Sequence, residues 1–411
     1  MARLRSNVHE KRNAKGIYLA DADSEITGNS RKPIAILCLI TGLEYGGAEM
    51  MLYKFLSRMD KTRFTAQVIS MIDLGPFSGR IQELGVPLLS LGMRRGSPNP
   101  TGLLRLVRWL RQNRPDVIQT WMYHADLMGG FAAKLAGGVP VAWNIRHTEF
   151  IAHDNRLTVY TMRMCARLSK WLPTRIVCCS EASREVHTKI GYAAEKMVVI
   201  PNGMDLTAFR PDEAARDSVR KELNLSSDVV IIGIVGRFDP NKDHQNFIQA
   251  TAILCREGIN AHFLFCGDDM TWENTQLASW FDGTGIGEHS HLLGHRDDMP
   301  RLTAAFDIAC VSSSSEGFPN VIGEAMSCEI PCVVTDVGDS ALIVGQTGRV
   351  VPPRDSKALA AGLRELIDLG REGRRQIGRT ARQRVKELYD LPDIVRRYEN
   401  LYEELANTYR S

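Results

Sequence analysis

Thirteen short apolar runs punctuate this chain, and between them the apolar positions recur at helical spacing. The first seven runs are Ile34 to Ile40, Ala66 to Met71, Val86 to Ser90, Asp116 to Thr120, Val139 to Ile145, Arg175 to Cys179 and Met197 to Ile200. After a turn-rich stretch at 200–211, I-P-N-G-M-D-L-T-A-F-R-P, six more follow: Val229 to Val235, His262 to Cys266, His291 to Leu293, Ile308 to Val311, Cys332 to Thr335 and Val350 to Val351. Runs that are apolar throughout, rather than alternating, belong to strands buried on both faces, with the intervening helices as cover. The pattern predicts an α/β protein of two doubly wound domains, 33–203 and 204–388, whose strand-end loops face each other across a cleft. Residues 389–411 place Ile394, Val395, Tyr398, Leu401, Tyr402 and Leu405 at helical spacing, an amphipathic helix expected to close back on the first domain. Residues 1–32 are polar, mixed in charge and without the apolar stretch of a secretory signal, so a disordered tail is expected there.

A length of 411 residues exceeds one ordinary core and agrees with two domains. No apolar run approaches the roughly 18 residues of a membrane-spanning helix. Nine cysteines form no C-x-x-C pair, so neither a disulfide framework nor a zinc site is expected, and the implied compartment is a reducing cytoplasm. The net charge of +3 conceals an asymmetry: residues 1–210 hold 29 Lys+Arg against 17 Asp+Glu, and residues 211–411 hold 22 against 31. A basic first half would attract anionic lipid headgroups, on the inner face of a membrane, or an anionic acceptor; solvated helix faces are the alternative. Nucleic acid is not an expected partner, because the basic half has no recognisable reading motif.

The chemistry concentrates between Ser312 and Val344. Four serines and E-G-F-P-N-V-I-G-E-A follow a strand, and a helix beginning near Pro319 and carrying Glu316 and Glu324 is expected. The open N–H groups and positive dipole end of such a helix form an anion site from main chain alone. Two carboxylates would repel a phosphate, so they are assigned to hydroxyls on either side of it; a sugar and a ribose flanking a diphosphate fit. Pro319, which has no N–H to give, suits the first helical turn. Upstream, G-R-F-D-P-N-K-D puts Arg237 and Lys242 in a loop after a strand, where two fixed cations neutralise a diphosphate most strongly as it departs. In T-G-L-E-Y-G-G-A-E, Gly46 and Gly47 allow close backbone approach before another helix, though their spacing is not that of a dinucleotide fingerprint.

Together G-R-F-D-P-N-K-D, E-G-F-P-N-V-I-G-E-A, I-P-N-G-M-D and T-G-L-E-Y-G-G-A-E resemble the retaining glycosyltransferases of GT-B fold, specifically the nucleotide-sugar-dependent family 4, from about residue 33 onward. The resemblance implies that Glu316 holds donor-sugar hydroxyls and Glu324 the ribose. Arg237 and Lys242 would grip the diphosphate together with the Gly317, Phe318, Pro319, Asn320 and Val321 segment, and Gly46 and Gly47 would reach it when the cleft closes. Asn202 of the I-P-N-G-M-D motif joins the substrate-binding set. His147 corresponds to a cleft histidine near the reacting sugar; His124, after another strand, would face the acceptor. Loops at Gly267 and at His295 and Arg296 stand where the base is held, by contacts expected to be main chain, so the nucleobase is not specified.

The function implied is retaining transfer of a hexose-type sugar from a nucleotide-diphosphate sugar to a hydroxyl of a glycan or lipid-linked acceptor, in surface polysaccharide or glycoconjugate assembly. No cofactor is implied beyond the donor itself. Asp21 and Asp23 precede the first strand and cannot act as a metal-binding D-x-D pair, so no essential metal is expected. A sugar-nucleotide epimerase of the same architecture and a non-catalytic sugar-nucleotide-binding protein are the alternatives.

Overall fold

The computed structural model describes residues 32–94, 100–148 and 156–410; the expected tail, with Asp21 and Asp23, lies outside them. Each of the thirteen apolar runs is a strand. The first seven, β1 (Ile34–Ile40), β2 (Phe64–Ser70), β3 (Leu88–Ser90), β4 (Val117–Trp121), β5 (Val141–Ile145), β6 (Arg175–Cys178) and β7 (Met197–Val199), form one sheet in the order β3-β2-β1-β4-β5-β6-β7. The next six, β8 (Val230–Val235), β9 (Ala261–Cys266), β10 (Ser290–Leu292), β11 (Ile308–Val311), β12 (Cys332–Thr335) and β13 (Gly348–Val351), form a second in the order β10-β9-β8-β11-β12-β13. Every pairing in both sheets is parallel. Boundaries move by about two residues from the sequence expectation, the usual fraying of strand ends.

Both sheets reverse their winding beside the first strand, between β1 and β4 and between β8 and β11. Loops leaving neighbouring strands in opposite directions open a crevice there, and this is where an α/β sheet takes its ligand. Gly46 and Gly47 follow β1, His124 follows β4, Arg237 and Lys242 follow β8, and Glu316 follows β11, the strands beside these points.

The helix Leu391–Arg410 returns to the first sheet. Leu391, Ile394, Val395, Tyr398, Leu401, Tyr402 and Leu405 are buried in one cluster with Ile36, Cys38, Ile40 and Phe55. Tyr402 donates its hydroxyl to Gln119 Oε1 at 3.0 Å, so the one polar atom of that buried ring is satisfied. The two connections between domains run side by side: Met204 N–H donates to Tyr389 O at 2.8 Å, and Leu391 N–H donates to Met204 O at 3.1 Å. A Cβ on Gly203 would lie 2.9 Å from Leu391 Cα, so glycine is what lets the strands pass.

Candidate active site

The second-domain half is two loops stapled together by small hydroxyls. Ser312 Oγ, following β11, donates to the carbonyls of Lys242 and Asp243, Ser314 N–H donates to Asn241 O, and Thr335 Oγ1 of β12 donates to Ser313 O. The staples hold Lys242 against Glu316: Nζ donates to Oε1 at 2.6 Å, and Ser313 Oγ donates to the same oxygen at 2.7 Å. Arg237 sits further out, its side chain 62% exposed, with Nε and NH2 on Asp239 Oδ2 at 3.1 and 2.9 Å. Its carbonyl meets His244 Nε2 at 3.1 Å. Burial drives the His244 pKa down to about 4, so the ring is neutral, and because a carbonyl only accepts, Nε2 carries the proton. Gly267, at φ +150°, backs the Arg237 loop so closely that a Cβ would lie 2.2 Å from Gly236 O.

The helix after the serine loop spans Asn320–Ser327. Glu316 therefore lies in the loop and only Glu324 is helical, correcting the expectation of a helix carrying both. Pro319 is likewise not in the first turn but at the N-cap, φ −73°, ψ 101°, where its ring ends the extended loop and costs no hydrogen bond. The N–H groups of Asn320 and Val321 begin the helix and have no intrahelical acceptor, whereas that of Ile322 turns to Pro319 O.

Across the cleft the first domain meets this helix end directly. A Cβ on Gly47 would be 3.9 Å from Asn320 Nδ2, and one on Gly317 would be 3.0 Å from Thr148 Oγ1. Asn202 Nδ2 donates to Asn320 Oδ1 at 2.7 Å, and its own Oδ1 accepts from Arg146. Gly46 is the N-cap of helix Gly47–Arg58, and a Cβ there would strike Glu49 Oε2 at 2.5 Å. Burial pushes the Glu49 carboxyl up while the positive Arg146 nearby pulls it down. From the same helix, the buried Lys54 reaches Gly203 O at 3.3 Å and Glu324 Oε1 at 3.6 Å.

The remaining candidates occupy the rim. His147 is exposed at the end of β5 and stacks on Tyr123, ring centroids 6.3 Å apart, and Tyr123 OH meets His187 Nε2 at 2.8 Å. His124 is half-buried in the first turn of helix Tyr123–Ala136, its pKa lowered by burial. His295 Nδ1 pairs with Asp268 at 2.7 Å and its ring stands 6.3 Å from that of Tyr45, so the first-domain glycine loop touches the expected base loop. Arg296 is occupied elsewhere: Nε and NH2 bind Asp298 and NH1 binds Glu222, and these hydrogen bonds raise its already high pKa. Its side chain belongs to the fold, leaving main chain as what that loop can offer.

The structure thus brings Glu316, Lys242, the 317–321 segment, Asn202 and Gly47 to one place, with Arg237 at its edge. Two cations there were not expected from sequence. Lys54 follows Met51 and Leu52 on an amphipathic helix, where a lysine reads as surface. Arg146 is hidden beside His147 in W-N-I-R-H, with a guanidinium 5.4 Å above the Trp121 ring and two buried nitrogens, Nε and NH1, lacking any hydrogen-bond partner. Its place in a polar strand-end motif was the available signal. Among the described residues no group of three or more His, Cys, Asp or Glu is placed to hold a metal ion.

Two family models match the chain, one to each domain: Glycosyltransferase Family 4 over residues 45–208 and Glycosyl transferases group 1 over residues 229–368. The putative glycosyltransferase EpsF of Bacillus subtilis (strain 168) is 28% identical over 309 residues, 73% of this chain and 79% of that protein. The UDP-Gal:alpha-D-GlcNAc-diphosphoundecaprenol alpha-1,3-galactosyltransferase of Escherichia coli is 26% identical over 245 residues, 59% of this chain and 63% of that protein. Among solved structures, Anabaena Alr3699/HepE in complex with UDP superposes with a TM-score of 0.80 at 22% identity, covering 90% of this chain and 100% of that one, a likeness of fold.

Proposed function

The chain belongs to glycosyltransferase family 4, the group 1 type with GT-B fold and retaining chemistry, and on that premise we propose that it transfers a hexose-type sugar from a UDP-sugar to a hydroxyl of a lipid-linked or glycan acceptor in surface polysaccharide assembly. The observation that carries the reading is the convergence of the Lys242–Glu316 pair, the open end of helix Asn320–Ser327 and the Gly47 backbone at the two switch points. Uridine is supported by the Escherichia coli relative, named for a UDP-Gal donor and a diphosphoundecaprenol acceptor, and by the UDP-bound Anabaena neighbour.

The chain's own groups divide the task. Lys242, Arg237 and the Asn320 and Val321 N–H groups take the diphosphate, and their attraction grows as charge develops on the departing oxygen. Glu316 accepts from sugar hydroxyls and Glu324 from the ribose, with Lys54 holding Glu324 against the first domain. The anomeric carbon loses its bond to the phosphate oxygen and gains one to the acceptor oxygen on the same face, and the acceptor's proton passes to the departing phosphate. His147, exposed at the β5 end, borders the reacting sugar and His124 the acceptor. A thermal-shift series of UDP-, GDP- and ADP-sugars tests the donor, because a ligand bound only by the folded state raises its stability. Preference for a GDP- or ADP-sugar would overturn the uridine assignment, and an inverted anomeric centre in the product would overturn the mechanism.

A further inference from the structure

Two short stretches that the site assignments leave unused, C-S-E-A-S-R in the first domain and T-D-V-G-D-S in the second, meet across the domain boundary. The helix Glu181–Lys189 follows β6 and has Ser180 as its N-cap, whose hydroxyl accepts from Ser183 N–H at 2.9 Å. One serine satisfies one of the open N–H groups of the helix. Two more are satisfied from the other domain: Asp339 Oδ2 accepts from Glu181 N–H and Oδ1 from Ala182 N–H, both at 2.9 Å. Asp339 is 5% exposed, so a buried carboxylate commits both oxygens to a helix that is not its own. Its charge faces the positive end of that helix.

Both ends of this contact lead into the cleft. On the second domain, Asp339 N–H donates to Gly317 O at 3.1 Å, and a Cβ on Gly338, at φ +55°, would lie 2.3 Å from Glu316 O. The loop bearing Asp339 is therefore laid against the backbone of the Glu316 loop. On the first domain, Ser183 Oγ donates to His147 O at 2.8 Å, and His187 of the same helix meets the hydroxyl of Tyr123, whose ring stacks on that of His147. A continuous series of contacts results, from His147 through Ser183 and the helix end to Asp339, Gly317 and Glu316.

We infer that Asp339 is a positioning residue for sugar transfer: by gripping the end of helix Glu181–Lys189 it sets the separation of His147 and Glu316, the two sides of the proposed sugar pocket. It acts through these two loops rather than on the substrate. A carboxylate that takes two adjacent N–H groups fixes orientation as well as distance, which a single hydrogen bond does not. The inference rests on the roles proposed above for Glu316 and His147.

Asp339→Ala and Ser180→Ala separate positioning from capping, because both uncap the same helix and only the first cuts the tie between domains. Both are expected to lower the melting temperature. Asp339→Ala is further expected to enlarge the radius of gyration of the UDP-bound protein in solution scattering, as a loosened cleft requires. Its kcat with the UDP-sugar selected by the thermal-shift series is expected to fall about 10²-fold while UDP affinity stays within about threefold, since the diphosphate and ribose groups proposed are mostly second-domain ones. Ser180→Ala is expected to scatter like the parent and to keep kcat within about threefold. Asp339→Asn, which retains one acceptor oxygen, is expected to fall between the parent and Asp339→Ala in both readouts, and it carries the comparison where Asp339→Ala does not fold. Equal kcat losses in Ser180→Ala and Asp339→Ala would reduce Asp339 to a helix cap and overturn the proposal, as would scattering unchanged from the parent in the Asp339 variants. A parent chain that turned over no UDP-sugar would refute the donor assignment instead, and the scattering comparison would still decide the tie.

Discussion

Lys242 and Glu316 form the closest charge pair in the cleft, and removing the lysine separates two roles that the geometry gives it. Its Nζ lies 2.6 Å from Glu316 Oε1, with 27% and 11% of the two side chains exposed. At an effective dielectric constant of about 20 such charges attract by about 6 kcal/mol, and the cost of desolvating both leaves about 1–3 kcal/mol. Lys242→Met leaves Glu316 with the Ser313 hydroxyl as its remaining side-chain donor. Unfolding free energy is expected to fall by that 1–3 kcal/mol, measured by urea titration. The proposed second role, stabilising the departing diphosphate, predicts a further loss in kcat of about 10²- to 10³-fold, followed by nucleotide release. Glu316→Gln added to Lys242→Met removes the stranded charge, so stability is expected to return to within about 1 kcal/mol of the parent while turnover stays low. A double variant that turned over within about fivefold of the parent would refute the reasoning, because Lys242 would then serve only to neutralise Glu316.

Arg146→Lys is expected to raise the donor KM about tenfold with little change in melting temperature, since lysine keeps the charge but cannot supply the guanidinium N–H groups now buried without partners; an unchanged KM would remove Arg146 from the site. Asp307→Asn is expected to cost about 3–5 kcal/mol in urea titration, because Asp307 accepts from Arg216, Arg220 and Ile231 N–H at 2.8, 2.8 and 2.9 Å and its loss strands buried guanidinium charge. Stability is also expected to fall on acidification. Burial lowers His187, His244 and His262 to about 4, so between their ordinary pKa near 6.5 and pH 4 the unfolded chain binds protons that the folded chain refuses. Asp126, raised to about 8 by burial, keeps a proton in the folded chain and opposes them, but the three histidines outnumber it and the direction stands. A melting temperature that held flat from pH 6.5 to 4.5 would contradict this.

The strands were legible because parallel strands covered on both faces must be apolar at every position, and such runs survive without any alternation signal. The closing helix was legible for a similar reason, since its apolar stripe has one face to bury. The position of Glu316 was not. Four consecutive serines carry no periodicity, and the loop they form is defined by hydroxyl staples to carbonyls about 70 residues upstream, at Asn241, Lys242 and Asp243. The Arg296 side chain was illegible in the opposite sense, although the contact expected of that loop is main chain. It stands in a strand-end loop, as a ligand-binding cation would, yet it is claimed by Glu222 from a helix 74 positions earlier. Lys54 and Arg146 were missed because their meaning lies in the other connection or the other domain: Lys54 is defined by Gly203 and Glu324, and Arg146 by Asn202.

The charged groups proposed to take the donor are already partnered: Lys242 with Glu316, Glu324 with Lys54, Arg237 with Asp239. Donor binding in the proposed pose is therefore an exchange of partners rather than the filling of open sites. A diphosphate that draws Lys242 toward itself weakens the strongest hydrogen bond to Glu316, and in a site this enclosed an abandoned carboxylate is costly. Sugar hydroxyls donating to Glu316 remove that cost. The same logic holds at the ribose, where a hydroxyl on Glu324 competes with Lys54, a residue that ties the first domain to the second. In the proposed pose, recognition of sugar, diphosphate and ribose is thus coupled through two lysines. The nucleotide without its sugar leaves Glu316 underbonded, which gives the empty and product-bound cleft a reason to release what the donor-bound cleft retains.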